Sequence, residues 1–473
     1  MSHILISAAH KSSGKTTISI GLAAALRRRD MKVQTFKKGP DYIDPMWLAR
    51  ASWRTCHNLD YYTMDKDEIL STFARFSRGS DIAIIEGNKG LYDGLDLDGG
   101  NSNAALAILV GAPVVLVIDA RGMTRGVAPL ILGYQAFNKD LNIAGIILNK
   151  VGGSRHEEKL RTIIEHFTDV PVVGIVHRDE RLVITERHLG LTPSNEDSHA
   201  DDKIDAIVDL IEAQVDIDKI IEIAEKASKQ TPPARPRRPQ TSADISIGVA
   251  RDSAFGFYYP GDLEALEAAG AKLIPIDMTK DIELPEIDGL FIGGGFPETR
   301  MKALQDNTRM RKSVRATIEN GLPVYAECGG LMYLARSLTW KDETCDMVGV
   351  IPADVVLHDK PQGRGYVRLK ETGNGPWPLL DDDGNPGEIP AHEFHYSSLE
   401  NLDGDPVFAY QVLRGHGIDG EHDGLIYKNL LANYTHLRDV SANRWAQRFV
   451  GFVRRHMNDE SMTTSHGKRQ SWT

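Results

Sequence analysis

Nine short apolar runs, arranged in two series, limit the folds open to this chain more than any other feature. HILISAA (residues 3–9), DIAIIEG (81–87), APVVLVIDA (112–120), IAGIILNKV (143–151) and VPVVGIV (170–176) are rich in β-branched residues and separated by amphipathic stretches. Nearly continuous apolarity, rather than alternation, fits strands covered on both faces, as in a parallel sheet flanked by helices. ISIGVARD (245–252), KLIPID (272–277), GLFIGGG (289–295) and LPVYAEC (322–328) begin a second series of the same kind. Between the two, ASKQTPPARPRRPQTSAD (227–244) carries four prolines and three arginines without apolar periodicity, which reads as a linker. The expected organisation is two α/β domains, 1–226 and 245–456, joined by that Pro/Arg-rich linker and followed by a disordered tail, 457–473.

A chain of 473 residues, 41% hydrophobic and 26% charged, supplies cores for both domains. No apolar run reaches the roughly 18 residues of a membrane span, and the N-terminal stretch has no basic region ahead of its apolar residues, as a signal peptide would. Three cysteines do not make a disulfide framework, so the cytoplasm is the expected compartment. A formal charge of −11 speaks against a nucleic-acid partner.

The first chemical signal is AAHKSSGKTT (8–17), set between the opening strand and the amphipathic stretch ISIGLAAALRRR. Ser13, Gly14, Lys15, Thr16 and Thr17 form the end of a phosphate-binding loop. Backbone amides at the helix start face the phosphates, Lys15 reaches the outer oxygens, and Thr16 offers a hydroxyl to magnesium. Ala9 stands where the usual pattern has its first glycine. Lys11 comes one position too late for the extra lysine of dimeric partitioning ATPases, the competing reading together with a regulatory nucleotide-binding module. FKKGPDYIDP (36–45) and DIAIIEGNKGLYDG (81–94) add Asp41, Asp44, Glu86 and Asp93 where an α/β sheet presents its carboxyl edge. Glu86 and Asp41 are the expected second magnesium contacts. A proline turn would use Asp41 and Asp44 just as well.

PVYAECGGLMYL (323–334) places Cys328 at a strand end before two glycines. A nucleophile on a sharp elbow needs small neighbours, so that the backbone can turn and a carbonyl can approach. Gly294 and Gly295 of FIGGGFPE, with Gly329, are the expected oxyanion donors, and His436 of LLANYTHLRD is the candidate base. Cys56 and Cys345 lack such surroundings and read as ordinary packed residues. His392 and His395 of HEFH are three apart, unlike the zinc-protease spacing, and are not read as a metal site.

These motifs, together with NKVGGSRHEEKL (149–160), ERHLGLTP (186–193) and ARDSAFGFYYPGDLEALEAAGA (250–271), resemble in order the cobyrinic acid a,c-diamide synthase family. The resemblance covers almost the whole chain except linker and tail. It implies an N-terminal synthetase domain similar to dethiobiotin synthetase and a C-terminal class I glutamine amidotransferase domain. It further implies ATP and L-glutamine as co-substrates, Mg2+, and a tetrapyrrole whose a and c acetates are amidated. Cobyrinic acid is the preferred substrate, with hydrogenobyrinic acid, sirohaem or a metal sirohydrochlorin as alternatives, and room is left for a homodimer. By the same resemblance Cys328 is the glutaminase nucleophile and His436 its base. Lys37, Lys38, Asp41, Tyr42, Asp44, Lys89, Asp93 and Arg187 are candidates for the substrate site.

Two departures accompany the resemblance. Asn88 and Lys89 stand where many family members have apolar residues. Arg438 follows Leu437 where the wider class has a glutamate, so the sequence shows no carboxylate to orient His436.

Overall fold

The phosphate-loop segment is followed by a helix, α1, Lys15–Arg28, that starts from Gly14 in the left-handed region at φ 90° and ends on Arg27 and Arg28, whose charges suit a helix C-terminus. The computed structural model describes residues 1–187, 190–228 and 241–467, and the chain divides into two units, Met1–Arg235 and Pro236–Thr473. In the first unit the strands are β1 (Ser2–Ala8), β2 (Val33–Lys38), β3 (His57–Leu59), β4 (Ile82–Glu86), β5 (Val114–Asp119), β6 (Ile143–Val151) and β7 (Val172–His177). They form one parallel sheet in the order β3-β2-β4-β1-β5-β6-β7. Every residue of β4 and β5 is buried, which is why those runs are continuous rather than alternating in the sequence. The register aligns Ile6 and Lys37 with Glu86, so three strand ends and the loop ahead of α1 converge on one edge of the sheet.

The second unit is built on a mixed nine-stranded sheet. Its first five strands, Ala271–Ile276, Ile245–Ala250, Gly289–Ile292, Val324–Glu327 and Leu430–Asn433, run parallel. Four antiparallel strands continue it: His422–Tyr427, Val407–Arg414, Gly363–Glu371 and Glu388–His395. Phe291 and Tyr325, on neighbouring strands, stack with centroids 5.3 Å apart, and Tyr325 also packs on Trp445 at 4.9 Å. Contacts of this kind fix the backbone of the two strands whose ends carry the glycine run and the cysteine.

The segment from residue 457, read from the sequence as a disordered tail, differs. The helix Trp445–Gly467 runs through its first part, because MNDESMTTSH contains neither proline nor an internal glycine to stop it. Residues 468–473 lie outside the described residues, as do 229–240 of the linker.

Candidate active sites

In the first unit the converging strand ends assemble a buried ionic cluster. Lys37, at the end of β2 and 3% exposed, places Nζ 2.5 Å from Asp44 Oδ2, 3.0 Å from Glu86 Oε1 and 3.7 Å from Asp41 Oδ2. Burial alone would lower its pKa, but the carboxylates of Asp44, Glu86 and Asp41 outweigh that and hold it well above the usual lysine value. Thr16 donates its hydroxyl to Glu86 Oε1 at 2.6 Å and to Asp44 Oδ2 at 3.2 Å. Asp41 Oδ1 instead accepts the backbone N–H groups of Ile43 and Asp44. Of the two aspartates expected near Thr16 it is Asp44 that lies within hydrogen-bond distance of its hydroxyl, whereas in the turn ahead of helix Ile43–Ser52 Oδ1 of Asp41 is spent on the backbone. Glu86 is fully buried, and its Oε2 has no hydrogen-bond partner among the described residues. An ionisable oxygen so placed, beside a threonine hydroxyl and a second carboxylate, fits a hard divalent cation.

Lys15 is buried, lowered to about 8 by burial and by Lys37, and donates to the Lys89 carbonyl at 2.6 Å. That carbonyl is presented because Lys89 adopts φ 41° and Asp93 Oδ2 accepts the Gly90 N–H at 2.8 Å. Lys38 meets Asn88 Oδ1 at 3.1 Å and is lowered to about 8, chiefly by burial. The departure at Asn88 thus has a partner inside the protein. Ser13 Oγ donates to the His10 carbonyl, Thr17 Oγ1 reaches the Leu182 carbonyl at 3.5 Å, and Asn149 donates to the Ser13 carbonyl. Tyr42 is buried at the start of helix Ile43–Ser52. The side chain of Arg187 lies outside the described residues.

In the second unit, Cys328 follows strand Val324–Glu327 with φ 48° and ψ −103°, a strained elbow whose N–H donates to the Asn433 carbonyl at 2.7 Å. Gly329 lies so close to Gly295 that a Cβ on it would stand 3.0 Å from the Gly295 nitrogen. A Cβ on Gly294 would stand 2.6 Å from His436 Cε1 and 3.4 Å from its Nε2. The geometry therefore gathers Cys328, Gly329, Gly294, Gly295 and His436 at the ends of three adjacent parallel strands. Burial, then Glu298, pushes the Cys328 thiol far up, and burial, then His395, lowers His436 to about 3, so the resting pair is uncharged.

His436 has a carboxylate after all. Its Nδ1 lies 3.3 Å from Oε2 of Glu327, the residue immediately before the cysteine. Arg438, two residues beyond His436, lies with its guanidinium 4.9 Å from the Tyr259 ring centroid. The available signal was a lone acid ending an apolar strand, with the two-residue period placing Glu327 on the side of Tyr325. His392 exchanges backbone bonds with His436 and stacks on it at 5.8 Å. Among the described residues no group of three or more His, Cys, Asp or Glu side chains is arranged to hold a metal by itself, so a cation at Thr16 would draw on ligands of other kinds. No described helix is long and apolar enough to cross a membrane.

A phosphate loop on one parallel sheet and a cysteine elbow with histidine and glycine amides on another define an ATP-dependent glutamine amidotransferase ligase. Residues 4–191 match the CobQ/CobB/MinD/ParA nucleotide binding domain, and residues 246–443 the CobB/CobQ-like glutamine amidotransferase domain. Cobyrinate a,c-diamide synthase of Magnetococcus marinus is 45% identical over 460 residues, 95% of this chain and 97% of its own. That of Methanosarcina acetivorans is 41% identical over 94% of both chains, and that of Archaeoglobus fulgidus 40% over 94% and 96%. A solved glutamine amidotransferase is similar over 44% of this chain and 98% of its own, at 16% identity and TM-score 0.33. The chain belongs to the cobyrinate a,c-diamide synthase family.

Proposed function

We propose that this chain converts the a and c acetate carboxylates of cobyrinic acid to amides, with glutamine as nitrogen donor and ATP as activator. The observation that carries the reading is the 45% identity to a cobyrinate a,c-diamide synthase along nearly the whole of both chains. Cys328 Sγ attacks the side-chain carbonyl carbon of glutamine while His436 takes the thiol proton. The oxyanion meets the amides of the glycine turn, His436 returns the proton to the leaving nitrogen, ammonia departs, and water hydrolyses the thioester to glutamate. In the synthetase half a free carboxylate is a poor electrophile. It takes the terminal phosphoryl group of ATP to become an acyl phosphate, which ammonia attacks with loss of phosphate.

Lys15 is placed to leave the Lys89 carbonyl for the outer phosphate oxygens. Thr16, Asp44 and Glu86 would hold Mg2+, which supplies charge compensation on the phosphates. The orphaned Oε2 of Glu86 supports that assignment. Lys37, committed to Asp44 and Glu86, acts from the phosphate side rather than as a contact to the macrocycle, and Lys89 remains the candidate there. The reading includes a cytoplasmic location, supported by three unpaired cysteines.

Purified protein is assayed with cobyrinic acid, hydrogenobyrinic acid and sirohaem side by side. Cobyrinic acid is expected to give diamide fastest, and preference for another macrocycle would move the substrate assignment. Cys328→Ala is expected to lose glutamine-dependent product yet form it from ammonium salt at about pH 8. Lys15→Ala is expected to lose product from both nitrogen sources while still hydrolysing glutamine. Equal use of glutamine and ammonia by Cys328→Ala would refute the nucleophile.

A further inference from the structure

We infer that Glu327 is the positioning residue of the glutaminase site, fixing the tautomer of His436 from the strand that carries the nucleophile. The inference rests on Cys328 and His436 acting as nucleophile and base. Glu327 is 3% exposed, and each of its oxygens has a defined role. Oε1 accepts two donors, the Leu437 N–H at 2.8 Å and the Tyr325 hydroxyl at 2.5 Å. The Tyr325 hydroxyl is held as a donor to Glu327 because Asn433 Nδ2 donates into it at 3.1 Å, while also reaching the Thr435 carbonyl at 2.9 Å. With Oε1 saturated, Oε2 is the oxygen that faces His436 Nδ1 at 3.3 Å. An ionised Glu327 there keeps the proton on Nδ1 and leaves Nε2, the nitrogen on the Gly294 side, unprotonated and able to take the thiol proton. It also faces the imidazolium formed when that proton moves.

The arrangement makes Glu327→Gln informative. Oε1 must still serve two donors, so the amide oxygen has to occupy that place and the NH2 group must face His436. An NH2 group there forces Nδ1 to accept, which puts the imidazole proton on Nε2, where it blocks proton abstraction. The expected loss in glutaminase kcat is about 10⁴-fold, as for the equivalent carboxylate-to-amide change in a histidine-based triad.

Burial raises Glu327 to about 8, against the Tyr325 and Leu437 donors, so wild-type glutaminase activity should rise through that region as the carboxylate forms. Charged and titratable neighbours are Tyr325 on its own strand, Cys328 on the elbow that follows it, His436 beyond the adjacent strand, Asp262 on helix Pro260–Ala268, and Tyr258 and Tyr410. All three tyrosines are held above the usual phenol range by burial.

The test measures kcat and KM for glutamine hydrolysis from pH 6 to 10 in wild type, Glu327→Gln, Glu327→Asp and Cys328→Ala, with a thermal melt reporting that both units of each are folded and ammonia-driven amidation as the control for the synthetase half. Support is a kcat loss in Glu327→Gln with little change in KM, loss of the rise through about pH 8 in that variant, and a smaller loss in Glu327→Asp. A wild-type kcat in Glu327→Gln, or equal losses in both variants with the rise retained in Glu327→Gln, overturns the inference while leaving Cys328 in place. Persistent hydrolysis by Cys328→Ala would overturn the catalytic reading on which it rests.

Discussion

Adding one methyl group at Gly294 should disable glutamine hydrolysis by displacing the imidazole of His436. The new Cβ would stand 2.6 Å from His436 Cε1, where carbon atoms rest at about 3.5–4.0 Å, so about 1 Å must be found. The imidazole has little freedom to give it. His436 is 3% exposed, its backbone N–H is bonded to the His392 carbonyl at 2.7 Å, and its Nδ1 is engaged by Glu327. Nor can Gly294 withdraw freely, since it pairs with Phe257 in a short antiparallel ladder. A displacement of about 1 Å between base and nucleophile costs about 10²-fold in rate, or about 2.7 kcal/mol of transition-state stabilisation. Overpacking adds about 1–3 kcal/mol of lost stability, which a thermal melt reads separately. The assay is glutamate release by Gly294→Ala, with ammonia-driven amidation in the same preparation as control. A folded variant whose glutaminase rate stays within about twofold of wild type would refute the steric argument.

Lys37→Met should leave Asp44 and Glu86 facing each other without a cation, a loss of about 3–5 kcal/mol that lowers the melting temperature by about 6–20 °C. The deficit should shrink as the pH falls, because protonated carboxyls no longer need the ammonium, and calorimetry at pH 5 and 8 showing no change would contradict the ionic reading of the cluster. Glu371, buried with one oxygen bonded to the Leu379 N–H and the other without a partner among the described residues, is raised by burial to about 7. The folded state therefore binds a proton that the unfolded state has released between roughly pH 4.3 and 7, and stability falls as pH rises through that window. Glu371→Gln keeps the Leu379 bond and should be more stable than wild type at pH 8, by at most about 4 kcal/mol, but not at pH 4. Urea unfolding curves that differ equally at both pH values would show that the charge is not responsible.

Much of the architecture could be read from the chain because both sheets put their chemistry at strand ends. Continuous β-branched runs mark the parallel core, and SSGKTT and AECGG follow two of those runs directly, so motif and strand position agree. The antiparallel half of the second sheet was less legible. Strands such as Gly363–Glu371, GRGYVRLKE, carry charges on an open face, and their pairing depends on long-range partners that no local pattern encodes. Side-chain partnerships were the least legible. Choosing between Asp41 and Asp44 requires knowing which carboxylate the backbone of the turn consumes. Glu327 looked like the end of a strand until the register set it opposite Asn433, three residues before the histidine.

The buried ammonium of Lys37 has a consequence for how the synthetase half meets its anionic substrates. Being part of the chain, it is a counterion whose local concentration does not depend on the salt around the protein. Asp44 and Glu86 can therefore hold their loop and strand end in place before any ligand arrives. On the proposed reading an incoming phosphate would bring oxygens that compete for the same ammonium, so that recognition would be an exchange of partners rather than the insertion of a new charge into a dry pocket. The several kcal/mol needed to strip water from those charged groups is then met once, when the polypeptide folds, instead of at every turnover.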